Sequence, residues 1–320
     1  MKTFPSLRPG LGVAALVVCL PLVASCSDSA GGSGSTGGKD SGKRAAESSV
    51  PPAPVLKGRR LPVEAYMPSP WQIYQEGQAR GIVIRACLER YGMTYSQEQT
   101  PFAGPRTLLE RRYGEPNVAM ARRYGYWMPG SDEQPPAAKA PGEAETRVLT
   151  GSVTSYRGKA VPHGGCAGEA LRRLDGRPDA TSATYAHVLK AANEMEMQSW
   201  EETRKTAEVK RAEGRWAACM KARGYSFPAD VFSAGDSLDS PDARPRPARG
   251  SKEIALAVAD ARCLNDSGVV TAWYTLEEQH QKKVIAGDRR KWAQIREQFR
   301  THTANTRKVL KAHGGRAGQP

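Results

Sequence analysis

The chain has 320 residues, 39% of them hydrophobic and 25% charged, which suffices for one large or two modest domains. Its formal charge is +14, and a surface of that sign favours anionic neighbours such as phospholipid head groups, wall polymers or nucleic acid. No apolar run reaches the ~20 residues that a membrane-spanning helix needs.

Residues 1–25 carry a basic start (Lys2, Arg8), an apolar segment from Leu11 to Leu20, then Pro21 and small residues before Cys26. The stretch Leu22-Val23-Ala24-Ser25-Cys26 looks like a bacterial lipobox, in which Cys26 receives a diacylglycerol and becomes the first mature residue. Loss of the leader removes Lys2 and Arg8 and leaves +12. Each buried methylene contributes about 0.8 kcal/mol, so two chains hold a protein on a bilayer where one is marginal. An ordinary secretory leader cut elsewhere, with Cys26 incidental, is the alternative.

Residues 26–55 are rich in Ser, Gly, Lys and Ala and end in Val50-Pro51-Pro52-Ala53-Pro54. Such a segment buries too little apolar surface to offset ordering, and it predicts a disordered tether. Within it Gly37-Gly38-Lys39-Asp40-Ser41-Gly42-Lys43 has the spacing of a phosphate-binding loop. Arg44 then stands where Ser or Thr is required, and neither strand nor helix flanks it.

A helix is expected from Ser69-Pro70, an N-cap followed by proline, with Ile73, Ile84, Leu88 and Tyr91 at helical spacing and Gly92 as its stop. Gly77 and Gly81, one turn apart, could admit another backbone. Arg111-Arg112-Tyr113-Gly114 and Arg122-Arg123-Tyr124-Gly125 form a small repeat, each copy expected to close a short helix with glycine. Their arginines either grip a phosphate or sugar, or line a solvated helix end. Residues 129–145 read as a loop, and 146–157 as a weak hairpin around Gly151. Ser182 to Arg223 is helical with a break near 201–208, and 225–250 reads as a long surface loop. Ser251 is expected to cap a helix that Gly268 closes. A longer helix follows from about Val270 to Ala312, whose Trp292, Ile295, Phe299, His302, Thr306 and Val309 form a packing seam. Residues 314–320 should fray.

Cys19 lies in the leader and Cys26 is the lipid site, which leaves Cys87, Cys166, Cys219 and Cys263. Outside the cytoplasm an even set without C-x-x-C spacing predicts two disulfides in preference to a metal. Three pairings are open, and Cys87–Cys166 with Cys219–Cys263 closes the shorter loops. Cys87, Cys219 and Cys263 each start a Cys-[Leu/Met]-x-x-x-Gly ending, which places a cysteine in the last turns of a helix as a staple. A reactive thiol is the competing reading.

The lipobox, the tether, Arg122–Tyr126, Gly164–Ala170, Trp216–Met220 with Gly224-Tyr225, and Ala257–Cys263 together resemble the secreted lipoproteins of Streptomyces-type actinobacteria. The resemblance spans roughly Leu61 to Leu310. It implies a lipid-anchored, mostly helical envelope protein and transfers no activity, cofactor or functional residue.

Catalytic signatures are sparse. Gly235-Asp236-Ser237-Leu238 spells the nucleophile block of one esterase superfamily, but no Asp-x-x-His exists to serve it. Glu277 and His280 have the Glu-x-x-His spacing of di-iron bundles, without a second copy. The histidines 163, 187, 280, 302 and 313 form no metal motif, although His163 near Cys166 is a conceivable pair. The six tryptophans read as core anchors ahead of a sugar-stacking platform.

The expectation is therefore a mainly α-helical bundle over residues 56–313 with two disulfides and at most one small hairpin. No cofactor or metal is called for. The leading function is a non-catalytic binding or interaction module on the extracytoplasmic face of the cell membrane, its partner an envelope protein or an anionic wall polymer. Nucleic acid rests on charge alone, since no binding module accompanies it. The alternative is an extracellular enzyme acting on wall or peptide material.

Overall fold

The computed structural model describes residues 54–95, 102, 104–128, 140–238 and 250–313. The leader, Cys26, the phosphate-loop-like 37–43, nearly all of the tether and the 314–320 tail lie outside the described residues. Ten α-helices and a two-stranded hairpin carry the described chain, so it is mainly α.

The first helix, α1 (Pro70–Glu89), begins as the sequence dictates. Ser69 Oγ accepts from Gln72 N at 3.3 Å while Gln72 Oε1 accepts from Ser69 N at 2.8 Å. Its end at Glu89 is followed by Gly92 at φ +72°, with Met93 N donating back to Leu88 O. A Cβ on Gly77 would meet nothing within 4 Å among the described residues.

The two arginine–tyrosine–glycine copies diverge. The second closes α2 (Val118–Tyr124) at Gly125, as expected. The first closes no helix: Arg111 sits at φ +61° in a turn, and its side chain is drawn inward by buried partners. The hairpin expected around Gly151 is instead α3 (Glu143–Thr150), with two acids in its first turn and Gly151 as its left-handed C-cap. A hairpin lies further on, β1 (Ser155–Tyr156) against β2 (Lys159–Ala160), turning at Arg157-Gly158.

Helix α4 (Gly165–Asp175) abuts the end of α3. A Cβ on Gly165 would stand 2.3 Å from Leu149 O, and one on Gly151 2.2 Å from Gly165 N, so only glycine permits this junction. Beside it Cys166 is bonded to Cys87 of α1.

The break near 201–208 separates α5 (Ser182–Arg204) from α6 (Ala207–Ala222), with Thr206 Oγ1 capping the second. Residues 225–238 are not a surface loop. They carry α7 (Ser233–Asp236) and bury Val231 and Ala234, while Phe232 packs on Trp200 and Trp273. Arg204 lies over all three rings and pairs with Asp230 at 2.6 Å, which fastens this segment down.

Helix α8 (Ser251–Ser267) takes Gly250 as its N-cap, so Ser251 is its first residue and not its cap. The single helix expected over 270–312 is two, α9 (Val269–Gly287) and α10 (Arg289–Ala312). Asp288 breaks the run because its carboxylate caps Lys291 N at 3.0 Å, a local bond that apolar periodicity does not register.

Two cores result. One gathers α5, α6, α8 and α9 around Trp216, Trp273, Met220 and Leu264, and holds the Cys219–Cys263 disulfide. The other gathers α1, α3, α4 and the end of α10 around Leu88, Val148, Leu174 and Val309, and holds Cys87–Cys166. Both disulfides close the shorter loops. Helix α10 belongs to both cores: Trp292 meets Tyr66 edge-on at 5.0 Å in the first, and Leu310 lies in the second. Its seam faces inward throughout, with Ile295 half-buried and the other five positions buried. No helix among the described residues is long and apolar enough to cross a membrane.

Candidate functional site

Two features stand out: an aromatic and acidic cavity at the edge of the first core, and a cationic ridge along α10.

The cavity, about 500 Å³, lies between the α2 terminus, α7 and the start of α8. Its floor is built from the unusual backbone at Arg111. That guanidinium donates to Glu115 Oε2 (2.8 Å), Tyr126 O (2.7 Å) and Trp127 O (2.8 Å), three bonds that hold a non-glycine residue at positive φ. They also fix the chain leaving α2. At Gly125 a Cβ would fall 2.4 Å from Glu253 Oε1, and this close approach lets Tyr126 N donate to the same oxygen at 3.1 Å. Tyr126 OH then donates to Asp260 Oδ2 (2.9 Å), and Trp216 Nε1 donates to Oδ1 (2.8 Å). Burial pushes the Asp260 carboxyl up to about 6, against the pull of those two donors, with the Glu115 charge adding to the rise. The Tyr126 phenol is raised well out of the physiological range, by burial and then by the Asp260 charge. Trp127, Val231, Phe232 and Leu238 supply the apolar walls.

The ridge is simpler. Helix α10 carries eight bases and one acid, Glu297. Arg289, Arg296, Arg300, Arg307 and Lys311 follow at steps of seven and four, which aligns them on one face, and all five are exposed. At ~1.5 Å per residue the stripe runs about 33 Å. Glu297 offsets it only through Arg300, at 3.3 Å.

Residues singled out by sequence take other roles. Glu277 is fully buried and accepts from Arg112 Nε (3.0 Å), Tyr113 OH (2.6 Å), Ser199 Oγ (3.0 Å) and Gln281 Nε2 (3.1 Å). Arg112 also pairs with Glu196. Burial opposes the charge on Arg112, but the Glu277 bonds outweigh it and raise its pKa further. Arg111 and Arg112 are thus committed within the protein, whereas Arg122 and Arg123 are exposed, Arg123 lying over the Tyr124 ring. His280 is half-buried and stands 3.6 Å from Glu202. Among the described residues no cluster of three His, Cys, Asp or Glu could hold a metal ion. Ser237 spends its hydroxyl on Ala234 O, although its neighbours Gly235, Asp236 and Leu238 line the cavity. His302 is buried, stacked on Tyr185 and 3.3 Å from Glu76; His163, His187 and His313 are exposed. Cys166, the conceivable partner of His163, is in its disulfide. Trp216, Trp273 and Trp292 are buried and anchor packing, and the other three tryptophans are half-buried, Trp127 as a wall of the cavity.

The cavity carboxylates were not recognised from sequence. One signal was there: Asp260 is a lone acid inside the apolar helical run Ala257-Val258-Ala259-Asp260-Ala261. A charged residue on a core face needs a partner, and that calls attention to it. No protein-family model, curated protein or solved structure matches the chain.

Proposed function

We propose that the protein is a lipid-anchored extracytoplasmic binding module, tethered through Cys26 and docking on an anionic wall polymer through the α10 ridge. The observation that carries this reading is the alignment of Arg289, Arg296, Arg300, Arg307 and Lys311 along one exposed face. A linear polyanion presents charge at regular intervals and meets such a stripe over its full length, so several weak contacts act together. The competing enzyme reading would draw on the cavity. There the Asp260 carboxyl, its pKa raised by burial, has both oxygens engaged by Trp216 and Tyr126 and is poorly placed to carry protons.

The test is co-sedimentation of the Cys26→Ala chain with purified cell wall as salt rises from about 50 to about 500 mM, a range over which screening shortens several-fold. Binding should fade with salt and be lost at low salt in Arg296→Glu/Arg300→Glu/Arg307→Glu. Binding that resists salt would transfer the role to a shaped site. No binding at low salt ends the polymer reading and directs cross-linking toward an envelope protein. Metabolic labelling with palmitate checks the anchor, since the label must disappear with Cys26→Ala.

A further inference from the structure

We propose that the cavity between α2, α7 and α8 binds a small organic cation, an ammonium group on a compact aromatic or aliphatic body. This does not depend on the wall-docking reading, because no residue of α10 lines the cavity.

The first argument is shape. About 500 Å³ falls within the ~300–1,000 Å³ of small-molecule sites, and the rings of Tyr126, Trp127 and Phe232 offer flat apolar faces. Aromatic faces also attract cations, by about 0.5–2 kcal/mol in general.

The second is charge. Among the described residues four carboxylates line the cavity, Glu115, Asp236, Glu253 and Asp260, against one cation, Arg111. Arg111 is already spent on Glu115 and on two carbonyls. Among the described lining residues three acids therefore face the space without a cation, in a protein whose overall charge is +14.

The third is the exception that Asp260 makes. Four acids in the described residues are at most 2% exposed: Asp175, Glu213, Asp260 and Glu277. Asp175 is paired with Arg177 at 2.6 Å, Glu213 with Lys210 at 2.6 Å, and Glu277 with Arg112. Asp260 has only the neutral donors Trp216 and Tyr126, and it is the one of the four that lines the cavity. A buried carboxylate normally finds a cation, and here the cavity is where one fits. The raised carboxyl pKa agrees with that unfilled demand.

The experiment compares 2-phenylethylammonium with 2-phenylethanol, its near-isosteric neutral counterpart, by ligand-observed saturation-transfer NMR and calorimetry on the full chain at neutral pH. The ammonium should bind about tenfold more tightly than the alcohol, which corresponds to ~1.4 kcal/mol. Glu253→Gln preserves an oxygen for Tyr126 N, and Asp236→Asn alters an exposed rim residue, so both should fold. Each should weaken the ammonium about threefold, and the pair about tenfold, with the alcohol unaffected. Equal binding of ammonium and alcohol, no binding of either, or an unchanged ammonium affinity in the double variant would each overturn the proposal.

Discussion

Replacing Glu277 by alanine strikes the polar centre of the first core. The carboxylate is fully buried and anchors four side chains from three segments: Arg112 and Tyr113, Ser199, and Gln281. Gln281 in turn accepts from Val63 N at 3.0 Å, so the network reaches the chain that precedes α1. Removing one partner of a buried pair costs about 3–5 kcal/mol, because the other charge is left without compensation. Arg112 retains Glu196, whose side chain is partly exposed, and that places Glu277→Ala near the lower end, about 3 kcal/mol. For a domain of this size the midpoint of thermal unfolding should fall by roughly 6–12 °C. Urea unfolding followed by tryptophan emission reads the same loss, since Trp200 and Trp273 flank the network. Adding Arg112→Met removes the stranded charge, so the double variant should be more stable than the sum of the singles predicts, by about 2 kcal/mol. A Glu277→Ala loss under ~1 kcal/mol, or strict additivity, would refute the view that this pair is the keystone of the core.

The disulfides close separations of 79 and 44 residues, for which the chain-entropy relation gives roughly 4 kcal/mol each. Cys87→Ala/Cys166→Ala and Cys219→Ala/Cys263→Ala should each lower the unfolding midpoint, and non-reducing peptide mapping should return those two linked pairs; a free thiol at Cys166 would contradict this. Asp260 makes stability pH-dependent with a definite sign. Burial raises its carboxyl from 3.8 to about 6, so between those values the folded protein keeps a proton that the unfolded chain has released. Its contribution is fully present below about pH 4 and is lost as pH rises through 6, a total of ~3 kcal/mol. The stability of the parent minus that of Asp260→Asn should fall by about 2–3 kcal/mol from pH 4 to pH 7. A gap that stays constant across the range would show that the carboxyl does not titrate in this way.

Features determined within one or two turns were legible in the sequence. Ser69-Pro70 starts α1, the break falls near 201–208, and Gly92, Gly224 and Gly268 stop helices at φ values of +72°, +86° and +68°. The repeated cysteine ending was legible for the same reason, since a fixed step from cysteine to glycine is also a fixed rotation about the helix. Readings failed where a local cap competed with periodicity. Asp288 interrupts an apolar seam that continues smoothly across it, and Gly151 ends a helix where its neighbours alternate like a strand. Residues 225–238 were misread because burial of Val231 and Ala234 depends on Arg204, Trp200 and Trp273, all distant in sequence.

The cavity shows why composition alone misdirects. A count of 47 bases against 33 acids predicts an anionic partner everywhere, yet charge is partitioned by the fold. Helix α10 buries its seam of Trp292, Phe299, His302, Thr306 and Val309, and the register then leaves its arginines no direction but outward. Bases have long stems that reach water from almost any helix face, whereas a short acid such as Asp260, placed on an inward face, stays there and must be satisfied. The same sequence thus yields a cationic exterior and a carboxylate-lined recess. The two surfaces are of opposite sign, so on the proposed readings salt should weaken wall docking while the cation affinity follows Glu253 and Asp236.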